Sequence, residues 1–228
     1  PGAKNASVVA VEPDTGKVVW QTGSNGPNYS SFIVAKLGGV EQIVGLDDRS
    51  LGGWDAATGK RLWTVKLNTD SGYLVPAPVV VGEKLFWAEA TNDAILFEFG
   101  KDGQINPKPV ATNEELIPEV VTPTAAGEMI LGSHEALICL DGKSLETLWT
   151  SDEERAFSGA CHIIVSGTRA LAFGDTGEAV LFSFDKQGLK VLGKAKLCKA
   201  TLMHPAIAGG KIYVRDAGQM HCYDLKGK

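Results

Sequence analysis

Gly53-Trp-Asp-Ala-Ala-Thr-Gly-Lys-Arg-Leu-Trp63 decides the fold of this chain, because an earlier stretch closely resembles it. Ala10-Val-Glu-Pro-Asp-Thr-Gly-Lys-Val-Val-Trp20 aligns with it without gaps, and Gly16 and Gly59 are 43 residues apart. Repeats of about 43 residues are typical of β-propellers, in which each repeat forms one blade of four antiparallel strands. The repeat therefore predicts an all-β propeller.

Further copies of the repeat follow along the chain at nearly the same spacing. Cys139-Leu-Asp-Gly-Lys-Ser-Leu-Glu-Thr-Leu-Trp149 keeps the Asp and Trp of the motif but lacks its Thr-Gly-Lys. The position of the motif glycine falls in the later copies at Gly103, Leu145, Gly188 and Gly227. We expect six units: 1–25, the end of a first blade; 26–70, 71–112, 113–153 and 154–198, one blade each; and 199–228, an incomplete last blade.

The third unit shows the strand pattern within one repeat. Short segments rich in branched and aromatic residues are separated by Gly, Asp or Asn, which favour turns. The four predicted strands are Val79–Val81, Leu85–Ala88, Ile95–Phe99 and Gln104–Val110. No segment has the apolar spacing of a three-turn helix.

Each residue type of the motif has a structural reason for its position. Asp55 and Asp141 end a third strand, where a carboxylate can accept N–H bonds in the following turn. Gly16 and Gly59 supply the positive φ of that turn. The tryptophans of the fourth strand are expected to be buried between consecutive blades: Trp20, Trp63 and Trp149. We interpret these residues as packing and turn residues without chemistry.

Composition and charge exclude several classes of protein. The chain has 228 residues, 44% hydrophobic and 21% charged, with a net charge of −5 and no block of Lys or Arg. A nucleic-acid partner is therefore not expected. No apolar run approaches the roughly 20 residues of a membrane-spanning helix. The four cysteines include no CxxC pair, which argues against zinc-ribbon and thioredoxin-like folds.

The motif A-x-D-x-x-T-G-K-x-x-W resembles the tryptophan-docking motif of the pyrroloquinoline-quinone-like β-propeller repeat. Ala10–Trp20 departs from it at Glu12, and Gly53–Trp63 departs from it only at its first residue. This repeat builds the periplasmic quinoprotein alcohol and glucose dehydrogenases and the lipoprotein of the outer-membrane-barrel assembly machine. The resemblance implies the C-terminal part of a seven- or eight-bladed ring from a bacterial periplasmic or extracellular protein. Missing blades and a signal peptide would then lie upstream of Pro1.

The resemblance does not extend to the quinone site. Quinoprotein dehydrogenases cover their cofactor with a ring formed by two adjacent cysteines and bind calcium through Glu, Asn and Asp. This chain has no adjacent cysteines, and we find no cluster of residues that would supply the six to eight oxygens of a calcium site. We therefore predict no cofactor, and no binding of pyrroloquinoline quinone.

Two histidines occupy equivalent positions in adjacent repeats. Thr122, His162 and His204 each lie five residues before the glycine that ends the first strand of a repeat, which predicts neighbouring positions on the channel wall. Neutral imidazoles there could bind a metal, an anion or a sugar. The alternative is that these histidines only fill a wet channel.

The cysteines leave one pairing open. Cys161 and Cys198 bracket one blade and are the pair that could form a disulfide, whereas Cys139 and Cys222 are too far apart and are expected to be buried thiols.

Two functions fit the sequence. The first is a non-catalytic scaffold that binds a protein or another macromolecule through a propeller face outside the cytoplasm. The alternative is a quinoprotein-type propeller enzyme whose site is completed by the missing blades.

Overall fold

The computed structural model describes residues 7–23, 25–26, 28–68 and 73–226. These residues form 21 strands in six antiparallel sheets, with one turn of 3₁₀ helix at Arg155–Phe157. The prediction of an all-β chain built from four-stranded sheets is confirmed. The chain divides into two compact units, residues 1–119 and 120–228.

The first unit contains a two-stranded sheet followed by two four-stranded sheets. Within every sheet, each strand pairs antiparallel with the strand that follows it in the chain, so the strand order is the chain order. The strands are β1 (Val8–Val11) and β2 (Val18–Thr22); β3 (Ile33–Leu37), β4 (Val40–Leu46), β5 (Ser50–Asp55) and β6 (Arg61–Lys66); β7 (Val79–Val81), β8 (Lys84–Glu89), β9 (Asn92–Phe97) and β10 (Ala111–Asn113).

The second unit contains two four-stranded sheets and one sheet of three strands in its described part. The strands are β11 (Thr124–Ala126), β12 (Met129–His134), β13 (Ala136–Asp141) and β14 (Thr147–Ser151); β15 (Cys161–Ser166), β16 (Arg169–Gly174), β17 (Glu178–Asp185) and β18 (Gly188–Lys196); β19 (Ala206–Ala208), β20 (Lys211–Arg215) and β21 (Met220–Asp224).

The turn between the third and fourth strands is closed by its Asp. In the second sheet, the Asp55 carboxylate accepts hydrogen bonds from the backbone N–H of Thr58 at 2.8 Å and from its hydroxyl at 2.6 Å, and Gly59 has a φ of +71°. In the fourth sheet, Asp141 accepts the N–H of Lys143 at 2.9 Å, and Leu145 takes the positive φ, 56°, without being glycine.

The third sheet corrects one predicted strand. The fourth strand is Ala111–Asn113, paired with β9, and not Gln104–Val110. Pro107 and Pro109 lie inside the predicted segment, and proline has no N–H to donate to a neighbouring strand. Ile105 therefore makes only an isolated bridge, with Phe99.

The apolar cores lie between successive sheets of the same unit. In the first unit, side chains of the second and third sheets pack together, among them Leu46, Trp63, Leu85 and Trp87. In the second unit, one core joins the fourth and fifth sheets, and a smaller one joins the fifth and sixth. The loops at the sheet ends are therefore carried by strands that pack into these cores.

The three motif tryptophans differ in burial. Trp63 is buried, but Trp20 and Trp149 are partly exposed, so the prediction that all three are buried is wrong for two of them. The ring of Phe99 packs edge-on against Trp63 with centroids 5.6 Å apart. In the described part of the chain, no aromatic ring covers Trp20 or Trp149 in this way.

The cysteines are all free thiols. Cys161 and Cys198 are therefore not joined in this structure, and Cys139 is buried as expected. Cys222 is exposed, which corrects its prediction as a buried thiol. It lies on β21, and within the described residues no fourth strand covers this side of the sixth sheet.

Candidate functional site

The structure brings the two predicted histidines together in the second unit. His162 lies on β15, and His204 lies two residues before β19 rather than on the strand itself. Their ring centroids are 4.7 Å apart, and the ring planes are tilted by 58°. We call these two residues the histidine pair.

Backbone carbonyls orient both rings. Nε2 of His162 is 3.0 Å from the carbonyl oxygen of Leu202, and Nδ1 of His204 is 2.6 Å from that of Pro205. Burial lowers the pKa of His162, and the nearby His204 lowers it further, while the Leu202 carbonyl acts in the opposite direction. His162 is therefore held mainly as a neutral imidazole at neutral pH.

Thr122, the third predicted residue, is half-buried and lies two residues before β11. The hydroxyl of Thr124 on β11 donates to the carbonyl of Ile163 at 3.0 Å, which connects β11 to β15, the strand that carries His162. A role for Thr122 itself stays a prediction. Among the described residues, no group of three or more His, Cys, Asp or Glu side chains is placed to hold a metal ion.

Sequence analysis missed a second site, in the first unit. The rings of Tyr29 and Tyr73 contact each other with centroids 4.8 Å apart, yet 69% and 52% of these residues remain exposed. Arg49 lies in the turn after β4, and its side chain is 79% exposed and pairs with Asp48 at 3.5 Å. We call Tyr29, Tyr73 and Arg49 the tyrosine surface.

The side chain of Asn28 joins the two tyrosine loops. The Asn28 side-chain oxygen accepts the N–H of Tyr29 at 2.8 Å and the N–H of Leu74 at 2.7 Å. Its amide nitrogen donates to the backbone oxygen of Asp47 at 3.4 Å. Asn28 therefore joins the loops before β3 and β7 to the turn after β4, which pre-organises the tyrosine surface.

The buried carboxylate of Asp47 stabilises this turn. Asp47 is 3% exposed, and its carboxylate accepts hydrogen bonds from Ser50 at 2.8 Å and from Arg61 at 3.1 Å. Burial alone would raise the pKa of Asp47. Hydrogen bonds from Ser50, Asn25 and the Arg49 backbone, with the charge of Arg61, lower this pKa below its usual value. The carboxylate is thus charged at neutral pH and fixes the turn.

The sequence does contain a signal for the tyrosine surface. Tyr29 and Tyr73 each lie nine residues before the turn glycine of their repeat, Gly38 and Gly82. The corresponding residues of the next three repeats are Pro118, Ser158 and Ala200. An aromatic residue at this position in two successive repeats marks adjacent loops, but it requires comparison of the repeats outside the tryptophan motif.

The second unit also contains a charged groove of about 260 Å³. Lys194 and Glu154 both line it and pair at 3.0 Å. Lys196 also lines the groove but donates to the carbonyl of Thr176. Lys194 and Lys196 are therefore both already partnered within the second unit.

Comparison with known proteins now connects this fold to a family. A family model described as outer membrane protein assembly factor BamB matches residues 4–194. The chain belongs to the BamB family. The predicted resemblance to a pyrroloquinoline-quinone-like propeller is thereby confirmed. Among curated proteins, no sequence matches this chain significantly.

Solved structures show the same propeller fold at low identity. BamB from Moraxella catarrhalis is 17% identical with a TM-score of 0.67; the match covers 94% of this chain and 65% of that BamB chain. The computationally designed Ika8 protein is 10% identical with a TM-score of 0.72, over 98% of this chain and 66% of its own. A chain of the mitotic checkpoint complex is 9% identical with a TM-score of 0.73, over 99% and 70%.

These comparisons establish the fold and the family. This chain spans just under two thirds of the length of the BamB chain. In the residues that the structure describes, no helix is long and apolar enough to cross a membrane.

Proposed function

We propose that this chain is a non-catalytic scaffold that binds a protein partner through the tyrosine surface. The family description, outer membrane protein assembly factor, supports a role in the assembly of outer membrane proteins. The proposed location is accordingly the bacterial periplasm. We further propose that the six sheets are successive blades of one propeller, since each four-stranded sheet repeats the same strand order.

The exposed tyrosine pair carries the proposal. Tyrosine and arginine are enriched among the residues that contribute most to protein–protein binding. A tyrosine ring supplies a large contact area at a small cost in side-chain entropy. Two such rings lie in contact while more than half of each residue stays open to solvent. A partner that covers them would remove this aromatic area from water.

The support beneath the surface strengthens this interpretation. Asn28 fixes both loops, and the buried Asp47 fixes the turn that presents Arg49. Ordering flexible loops costs binding free energy, so loops that are already ordered bind more tightly for the same contacts. The tyrosine surface is therefore suited to bind a partner without first ordering its own loops.

Site-specific photo-crosslinking in bacterial cells tests this function. A photoreactive amino acid at position 29 or 73 of the full protein should form an adduct with a component of the outer-membrane assembly machinery, identified by mass spectrometry. The same amino acid at Glu83, an exposed residue of the β7–β8 turn, serves as the matched control. Adducts of equal yield at position 83, or none at 29 and 73, would contradict the proposal.

Substitution provides the quantitative arm of the experiment. The double variant Tyr29→Ala/Tyr73→Ala should reduce affinity for that partner by about tenfold or more, since such residues often contribute over 1.4 kcal/mol. Tyr29→Phe/Tyr73→Phe keeps the rings and should lose much less. Urea midpoints of both variants check that the fold is retained.

A further inference from the structure

The histidine pair presents two nitrogen lone pairs that the fold does not use. Backbone carbonyl oxygens can only accept hydrogen bonds, so Nε2 of His162 and Nδ1 of His204 must carry the protons of their contacts. In the neutral rings, Nδ1 of His162 and Nε2 of His204 then hold the lone pairs. Neither nitrogen has a hydrogen-bond partner in the described part of the chain.

This arrangement matches the form in which histidine binds metals. A metal-binding imidazole is neutral, binds through one nitrogen and usually donates its other N–H to a carbonyl or carboxylate, which fixes the orientation of the ring. Both members of the pair have such a carbonyl contact already. An anion would be repelled by the two lone pairs unless the rings were protonated, so a cation fits the unprotonated pair better.

We propose that Nδ1 of His162 and Nε2 of His204 bind one late first-row transition metal ion, with water at its remaining positions. Each ring centroid would lie about 3 Å from an ion bound at a metal–nitrogen distance of about 2.0–2.1 Å. The observed centroid separation of 4.7 Å is less than twice this centroid-to-ion distance, so it allows one ion to bind both rings through these two nitrogens. Square-planar and tetrahedral coordination, which Cu²⁺, Ni²⁺ and Zn²⁺ adopt, both leave further positions for water.

The ligand type predicts the order of affinity. Imidazole suits copper, nickel and zinc, whereas calcium and magnesium require oxygen ligands. For a given nitrogen site, affinity for divalent ions is greatest for Cu²⁺ and falls to Ni²⁺ and further to Co²⁺. We expect Cu²⁺ to bind most tightly and Ca²⁺ and Mg²⁺ not to bind at this site.

Titration of the tag-free chain with Cu²⁺ alone tests the site. Calorimetry should show one tight equivalent, and electron paramagnetic resonance should show coupling to two imidazole nitrogens. His162→Ala and His204→Ala should each weaken this binding at least tenfold. His134→Ala, which removes a half-buried histidine elsewhere in the second unit, should leave it unchanged.

Nuclear magnetic resonance of the unaltered protein makes the test independent of variant folding. Substoichiometric Cu²⁺ should broaden the imidazole signals of His162 and His204 before those of His134 and His221. The proposal is overturned if the His162→Ala/His204→Ala variant binds Cu²⁺ with unchanged affinity and stoichiometry. It is equally overturned if other histidine signals broaden first.

Discussion

Trp63 and Trp149 occupy the same position in two repeats but differ in their surroundings. Each pairs across the sheet with a small residue beside a β-bulge, Gly53 for Trp63 and Cys139 for Trp149. The small partner is required at position 53, because a Cβ there would lie 2.3 Å from the Trp63 indole nitrogen. Trp63 is 6% exposed, whereas Trp149 is only partly covered. The motif thus sets the position of the indole, and neighbouring residues set its burial.

The two indoles also differ in their hydrogen-bond acceptors. Trp149 donates directly to the backbone oxygen of Asp185, the last residue of β17, at 2.7 Å. Trp63 donates to the side-chain oxygen of the buried Gln42 at 2.6 Å, and Gln42 donates in turn to the carbonyl of Gly103 at 2.8 Å. The indole of Trp63 is therefore connected to the Gly103 carbonyl by a relay of two hydrogen bonds through the Gln42 side chain. Loss of Gln42 would leave both buried groups without this partner.

Charge distinguishes the two strands as well. Arg61 donates from Nε to the backbone oxygen of Trp63 at 2.8 Å and pairs with Asp47 at 3.1 Å. Thr147, which has no charge, occupies the corresponding position two residues before Trp149. We therefore expect the Trp63 region to respond to pH through this ion pair.

The largest effect is expected at Trp63. Trp63→Ala should lower the free energy of unfolding by about 3–5 kcal/mol, because it leaves a cavity in the core between the second and third sheets. Urea unfolding measures this loss. Trp149→Ala, the matched substitution, should cost clearly less because part of that ring is already in water. Equal losses for the two variants would contradict the expectation that the more buried tryptophan contributes more to stability.

Gln42→Leu should have the next largest effect. It leaves the Trp63 indole N–H and the Gly103 carbonyl without their partner, and each unsatisfied buried group costs about 1–3 kcal/mol. We expect a loss of about 2–3 kcal/mol by urea unfolding. Gln21→Leu, at an exposed position of β2, should change stability by less than about 0.5 kcal/mol. A Gln42→Leu variant as stable as that control would argue against the relay.

Asp47→Asn should destabilise the protein by about 1–2 kcal/mol at pH 7, since a hydrogen bond to a charged group contributes more than one to a neutral group. The pKa of Asp47 is lowered by folding from its ordinary 3.8. Its contribution is therefore complete above pH 3.8 and is lost as the pH falls through the lower folded value. The difference from wild type should shrink between pH 5 and about pH 2.

Urea midpoints of both proteins across that range measure this change. The Trp149→Phe variant serves as the reference, and its difference from wild type should stay constant with pH. A constant difference for Asp47→Asn would show that its charge adds nothing to the stability of the turn.

Trp149→Phe should have the smallest effect. It keeps an aromatic ring and removes only the hydrogen bond to the Asp185 carbonyl, for which we expect about 0.5–1.5 kcal/mol. Thermal unfolding detects a difference of this size. A loss as large as that of Trp63→Ala would mean that Trp149 is as important to its sheet as the buried indole is.

The repeat was sufficient to predict the fold, because the spacing of the motif glycines and tryptophans reflects one sheet per repeat. The fourth strand of the third sheet was misplaced because Pro107 and Pro109 override its branched residues. Burial of the tryptophans could not be predicted, since it depends on residues from other repeats, such as Phe99 beside Trp63.

For the histidine pair and the tyrosine surface, the sequence indicates which positions are neighbours but not which contacts they make. Equivalent positions in adjacent repeats correctly predicted that His162 and His204 would be close together. The carbonyl contacts of their rings come from loop conformation, which has no simple sequence pattern. Tyr29 and Tyr73 also share a repeat position, but the hydrogen bonds that join their loops, from Leu74 to Asn28 and from Ser30 to Pro76, connect residues 46 positions apart and have no local sequence pattern.

The unequal exposure of the four thiols makes this protein convenient to label at one point. Burial raises the pKa of Cys139 and of Cys161 to about 12, and raises that of Cys198 as well, so these three are poor nucleophiles at neutral pH. Cys222 alone is exposed on its strand within the described residues. A maleimide dye should therefore attach at Cys222 without any engineered cysteine, which gives a fixed fluorescent reporter on the sixth sheet.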